Sequence, residues 1–230
     1  MNTISSKSKS VNIRKTVAIA VFCAFAYICT VVFHFKVAFL SFEFKDAVMT
    51  IGAMYFGPLA GLSMALIVSF FELITISTTG IYGFIMNFLA SAVFVCVGTL
   101  IYRYRRSMAG AVVGMCSSVA AMTAVMVGAN LVITPFYMHC TVGEVAALIP
   151  TLLLPFNLTK AVLNAAVVFI LYKPVSTALK SAGFIKEGSQ NNGKHWFTKK
   201  NLAVSLIALA VAGLALAFFF VVLKGSVTIG

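Results

Sequence analysis

The sequence predicts an all-α polytopic membrane protein, a six-helix bundle followed by one additional C-terminal transmembrane helix. Three observations carry that prediction. The 230 residues are 61% hydrophobic and only 10% charged, whereas charged residues make up roughly a quarter of a soluble domain. The apolar residues fall in long runs separated by short polar breaks, as membrane-spanning helices require. The basic residues concentrate in alternate breaks. Lys7, Lys9, Arg14 and Lys15 precede the first run, Arg103, Arg105 and Arg106 follow the fourth, and Lys173, Lys180, Lys186, Lys194, Lys199 and Lys200 follow the sixth. If every run crosses, these thirteen of the seventeen basic residues share one side, which the positive-inside rule makes cytoplasmic; Lys36, Lys45, Lys160 and Lys224 fall on the other. Topology thus accounts for the net charge of +12 without a nucleic-acid partner. A soluble enzyme core, a secreted disulfide scaffold and a coiled coil are excluded by the same composition. The five cysteines (Cys23, Cys29, Cys96, Cys116 and Cys140) contain no C-x-x-C pair and mostly lie inside apolar runs, where they read as packing residues.

Spans are expected at 14–34, 46–56, 58–79, 82–104, 107–134, 155–179 and 201–223. The first follows a basic stretch, as a signal peptide would. However, the run from Val17 to Phe33 is too long for a signal h-region and no small-residue cleavage pattern follows it. The second is short: at ~1.5 Å per residue it covers about half of a ~30 Å hydrocarbon core. It must tilt, extend through Ala53-Met54-Tyr55, or be buried by its neighbours. Gly57-Pro58 marks a tight cytoplasmic reversal with Pro58 opening the third span. The outer segments 35–45 and 135–154 are too apolar for free loops and are expected to fold back over the bundle as lids. Residues 183–200 form the one soluble-looking linker, between a substrate-binding unit of residues 1–182 and the seventh span. With seven crossings the N-terminus is cytoplasmic and the C-terminus extracellular.

Polar groups inside a membrane are costly, so each requires a reason. Asn157, Lys160 and Asn164 are spaced at three and seven residues and form one stripe on the sixth span, beginning near its outer end. An interhelical hydrogen-bond seam is one reading. A ligand pocket is the better one, because an unpaired ammonium is a costly way to join helices. Asn130 on the fifth span stands opposite, and Phe39, Phe42, Phe44, Phe136, Tyr137 and Phe156 supply aromatic walls. Amides, an ammonium and aromatic faces suit a flat heteroaromatic ligand with a polar edge. Glu43 and Asp46 are placed at the mouth, as acceptors for ligand hydroxyls or as solvated acids, Asp46 also as an N-cap. Glu72 lies well inside the third span, either functional or hydrogen-bonded as a neutral acid to a neighbouring helix.

Two motif matches are decoys. Gly188 to Lys194 copies most of a phosphate-binding loop, but His195 replaces the Ser or Thr that would hold magnesium and no strand precedes it. Asn157-Leu158-Thr159 satisfies the glycosylation sequon but opens an apolar helix. His34, His139 and His195 lie in separate segments, and no catalytic constellation or metal-ligand cluster is present in the sequence, so neither enzymatic activity nor a bound cofactor is expected. Ala20/Ala24, Gly57/Gly61 and Gly110/Gly114 are small-xxx-small pairs, the glycine pairs being assigned to internal packing.

Residues 12 to 182 resemble the substrate-binding S subunit of energy-coupling factor (ECF) transporters, specifically its riboflavin-binding branch. The resemblance rests on FLSFEFKD (39–46), YFGPLAG (55–61), STTGIYGFIMNFL (77–89), the N-x-x-x-TPFYM segment (130–138), LPFNLTK (154–160) and LYKP (171–174). It implies flavin contacts from Glu43, Asn130, Asn157 and Lys160, with Asn164 on the same stripe. It also implies that Ala20 and Ala24 dock the membrane partner. The implied function is high-affinity riboflavin capture and uptake across the cell membrane, in partnership with a transmembrane coupling subunit and two ATPase subunits; the alternatives are FMN or another vitamin as the ligand, or a membrane anchor or assembly protein with a structural polar seam. Riboflavin would be the transported ligand, not a cofactor. The sequence departs from the family pattern in carrying Glu43 where Asp is expected and in its seventh span.

Overall fold

The computed structural model of the protein describes residues 2–33, 35–37, 40–184 and 199–223. In chain order these form α1 (Asn2–Val32), a hairpin of β1 (Phe35–Val37) and β2 (Leu40–Phe42), α2 (Lys45–Phe56), α3 (Pro58–Thr75), α4 (Gly80–Tyr104), α5 (Met108–Met138), α6 (Val142–Ala147), a π-helical turn (Ile149–Leu153), α7 (Leu154–Ser181) and α8 (Lys199–Leu223). Among the described residues, five stretches are long and apolar enough to cross a membrane: Ile13–Val32, Pro58–Thr75, Gly80–Tyr104, Met108–Met138 and Ile149–Ser181. Leu206–Phe218 of α8 is a shorter apolar stretch. The chain is therefore a multi-pass helical membrane protein.

The twelve residues of α2 rise only ~18 Å at ~1.5 Å per residue. Every residue from Lys45 to Ala53 is buried, because α1, α3, α4 and α7 pack around this helix. Of the ways out open to so short a segment, burial by neighbours is the one observed, and a helix covered on all sides needs no polar face. The core around it is built from Met49, Met64, Val68, Phe94, Met115 and Met122. The opposite faces present Val21, Phe25, Phe70, Phe71, Val113 and Leu214 outward, an apolar surface suited to lipid.

Glycines set two features of the scaffold. Gly57 takes φ 99° between α2 and α3, a left-handed conformation that a side chain would strain, and Pro58 follows as the first residue of α3. At Gly114 on α5 an added Cβ would stand 2.8 Å from the Gly98 carbonyl oxygen of α4. The two backbones thus approach closely, and Ser118 Oγ donates across the same junction to the Phe94 carbonyl at 2.8 Å.

The segments expected as lids have secondary structure of their own, and both pack on α7 through the cluster of Leu40, Phe42, Val145, Leu153, Phe156 and Leu163. The first forms an antiparallel hairpin with Phe35 opposite Phe42 and Val37 opposite Leu40, so the chain is not wholly α. Pairing supplies hydrogen bonds to backbone that lipid would leave unsatisfied. Leu40 and Phe42 turn inward while Ser41 between them is half-buried, the two-residue alternation of a strand. The second is helical almost throughout. Helix α5 continues through Pro135 to Met138, where His139 closes it at φ 52°. A capping box between Thr141 and Glu144 then starts α6, and the π turn leads into α7. One helical bond is lost at Pro135, a smaller cost than abandoning the helix near lipid.

Helix α8 lies against α7 and the π turn. Its Ala212 and Ala215 reach the apolar cluster formed by Leu40, Phe42, Val145, Leu153, Phe156 and Leu163. This helix is packed on the bundle rather than loosely tethered to it. The linker expected at 183–200, with the phosphate-loop decoy and His195, falls largely outside the described residues, as do His34 and Phe39.

Candidate functional site

The polar stripe of the sixth span lies on α7, and all three of its members are buried: Asn157, Lys160 and Asn164. Their partners differ. Asn164 Oδ1 accepts from the Ala47 backbone N–H at 3.0 Å, while its Nδ2 donates to the carbonyls of Glu43 (2.9 Å) and Lys160 (3.0 Å). One amide proton and the amide oxygen thus tie α7 to the start of α2, while the other proton stays within α7. Lys160 Nζ donates to the Ser41 carbonyl of β2 at 2.9 Å and lies 3.6 Å from Glu43 Oε2. An ammonium has three protons, so one remains beyond these two partners. Asn157 Nδ2 donates to the Leu153 carbonyl one turn back, at 2.8 Å, leaving its second proton and its oxygen. Because Asn157 is buried, the sequon that it opens cannot accept a glycan.

Asn130 is fully buried on α5, which packs against α7. Its Nδ2 donates to the Met126 carbonyl at 2.7 Å and its Oδ1 accepts from Thr134 Oγ1 at 2.9 Å. None of the described hydrogen bonds joins Asn130 to the stripe. Aromatic residues close this end of the stripe around Phe42, whose ring meets Phe44 and Phe156 edge to face at centroid distances of 5.6 and 6.0 Å. Phe136, expected in this wall, is 66% exposed because α5 runs straight past it and turns it outward. Tyr137 packs instead with Tyr82 of α4.

Glu43 and Asp46 are not solvated acids at a mouth; both are buried. Nor does Asp46 cap α2, whose N-cap is Phe44 with no side-chain bond. Asp46 Oδ1 accepts from Ser91 Oγ of α4 at 2.5 Å. Glu43 instead belongs to a chain of alternating charge that crosses the bundle. Glu72 of α3 pairs with Lys45 of α2, Lys45 Nζ lies 2.9 Å from Glu43 Oε2, and that same oxygen faces Lys160 of α7. Thr30 of α1 and Asn87 of α4 donate to the two oxygens of Glu72 at 3.1 and 3.2 Å. Removing such ions from water costs several kcal/mol each unless they are paired and hydrogen-bonded, and alternation of sign meets that condition. Glu72 is thus hydrogen-bonded to neighbouring helices, as one of its two sequence readings has it, while also contacting Lys45.

Sequence reasoning missed Lys45, which it counted only as an outer-side charge. The available signal was Glu43-Phe44-Lys45-Asp46, three charges of alternating sign opening an apolar span too short to carry them unpaired. Ala20 and Ala24 lie on the exposed face of α1, while Phe22, Cys23 and Ala26 turn into the core. Internal packing therefore does not occupy the alanine face. Gly61 and Gly114, by contrast, meet Val95 and Gly98 within the bundle.

Comparison with known proteins places this geometry in context. The model of the family described as ECF transporter, substrate-specific component, matches residues 14–172. The chain is 27% identical over 176 residues to the riboflavin transporter RibU of Staphylococcus aureus (strain TCH60), covering 73% of this chain and 93% of that protein. It is 30% identical over 156 residues to the riboflavin transporter FmnP of Bacillus subtilis (strain 168), covering 63% and 82% respectively. The fold matches a solved structure of the S component of a bacterial ECF transporter with a TM-score of 0.63 and 25% identity, covering 74% of this chain and 99% of that one.

Proposed function

Since the chain belongs to the substrate-specific components of ECF transporters, we propose that it captures riboflavin at the outer face of the cell membrane and takes part in its uptake. The observation that carries the ligand is the agreement of two relatives, both riboflavin transporters, matched over 93% and 82% of their own lengths. The α7 stripe supports the same reading. Lys160 and Asn157 retain hydrogen-bonding capacity for the polar edge of an isoalloxazine ring, Asn130 supplies an amide from the facing helix, and the Phe42 cluster covers an apolar face. Glu43 holds Lys160 in place and Asn164 holds the β2–α2 junction to α7.

The protein acts as a binding subunit rather than an enzyme. Its partners are a transmembrane coupling subunit and two ATPase subunits, docked through the groove at Ala20 and Ala24. The N-terminus is cytoplasmic, and the C-terminus is extracellular if α8 completes a seventh crossing. The test is direct. Protein purified from membranes should carry, or be titrated to one equivalent by, riboflavin, and Lys160→Met should weaken binding by about 1.5–3 kcal/mol, the range for a hydrogen bond from a charged donor. Absence of riboflavin binding by the intact chain refutes the assignment.

A further inference from the structure

The alternating charge chain has a geometry that bears on binding. Its central acceptor is a single oxygen, Glu43 Oε2, which lies 2.9 Å from Lys45 Nζ and 3.6 Å from Lys160 Nζ. Two ammonium groups therefore compete for one carboxylate oxygen. Lys45 has a second carboxylate, Glu72, in direct contact. Glu72 in turn is fixed from two further helices by Thr30 and Asn87. Among the described residues no second carboxylate lies in ion-pair contact with Lys160, which feels Asp46 and Glu72 only at longer range; its other direct partner is the neutral carbonyl of Ser41. Asp46, the remaining acid of this buried region, bonds directly to Ser91 and attracts Lys160 and Lys45 from beyond contact distance.

From this arrangement we propose that Glu72 is a positioning residue for the ligand site: by occupying Lys45, it leaves Glu43 available to hold Lys160 in its binding orientation. The inference rests on the reading that Lys160 contacts riboflavin. Glu72 touches no ligand. It acts across the bundle through Lys45 and Glu43, so four helices other than α7 (α1, α2, α3 and α4) set the orientation of an α7 side chain. If Glu72 is neutralised, Lys45 retains Glu43 as its contacting carboxylate and draws Oε2 away from Lys160. If Lys45 is neutralised as well, the competitor is gone and Glu43 returns to Lys160.

The two variants therefore have opposite consequences, which a purely structural role does not produce. In riboflavin titrations of the full-length purified chain, Glu72→Gln should weaken affinity about tenfold or more, equivalent to ~1.4 kcal/mol. The double variant Glu72→Gln with Lys45→Met removes more native contacts, yet should recover affinity to within about threefold of the parent, or ~0.7 kcal/mol. Should Glu72→Gln fail to fold, Thr30→Val with Asn87→Leu loosens Glu72 without changing any charge and should still weaken affinity about threefold. Parental affinity in Glu72→Gln, or a double variant as weak as the single, overturns the positioning role. Where Glu72→Gln does not fold, parental affinity in the Thr30/Asn87 variant overturns it equally. Failure of the parent chain itself to bind riboflavin would refute the functional assignment instead, so the two failures are distinguishable.

Discussion

Replacing Asn164 with Ala removes a buried amide whose carbonyl oxygen accepts from the Ala47 N–H and whose Nδ2 donates to the Glu43 carbonyl. The Ala47 N–H belongs to the first turn of α2, where no intrahelical acceptor exists. Both main-chain groups are then left without their described partner in a fully buried position. Each buried polar group stripped of its partner costs about 1–3 kcal/mol, so the pair sums to about 2–6 kcal/mol. The Lys160 carbonyl adds little, because it keeps its place in the α7 ladder. Polar contacts between membrane helices average only ~0.6 kcal/mol, since separated helices find other partners. That discount is small here, because the groups exposed are main-chain atoms at a helix start and not mobile side chains. Thermal or denaturant unfolding of the ligand-free purified protein measures the effect, with Leu158→Ala on the more exposed face of α7 as the control. A loss below about 1 kcal/mol relative to that control would refute the claim that Asn164 ties α7 to the start of α2.

Three further outcomes follow from the fold. Ala20→Trp with Ala24→Trp fills an exposed face of α1, so riboflavin binding and thermal stability should persist while cellular uptake is lost; joint loss of binding and stability would refute a docking face. Truncation after Gly183 should lower thermal stability, because Ala212 and Ala215 pack on the outer apolar cluster, yet preserve riboflavin binding. An affinity loss greater than about tenfold, or ~1.4 kcal/mol, would show that α8 forms part of the site. Glu144 accepts from the Thr141 backbone N–H and then from its hydroxyl, which together hold its carboxyl below the usual glutamate range. A lowered folded-state pKa stabilises α6 above the ordinary carboxylate pKa, and that contribution disappears as pH falls through the lowered value. The protection factors of the α6 amides, that is, exchange corrected for its intrinsic pH dependence, should therefore fall on acidification, and Glu144→Gln should flatten that dependence.

The sequence alone determined what solvent and helical period dictate. Apolar runs of sufficient length must be helices in lipid, since no other open segment satisfies its own backbone there. The 3.6-residue period then put Asn157, Lys160 and Asn164 on one face of α7 regardless of what surrounds them. The motifs from FLSFEFKD to LYKP carried the family, because short segments keep their residue types in order along the chain. Tertiary structure alone decided which polar groups meet. Lys45 and Glu72 are 27 positions apart and Asp46 and Ser91 are 45 apart, distances at which no periodicity relates two side chains. Their pairing depends on α2 being buried among four helices, which turned charges expected in outer water into an internal chain. Structure also decided the direction of Phe136, because whether α5 stops or continues at Pro135 depends on the surroundings of its end and not on the proline itself. The physical reason is common to these cases: a residue's preference for helix or lipid is a local property, whereas the partner of a buried charge is set by which helices pack together.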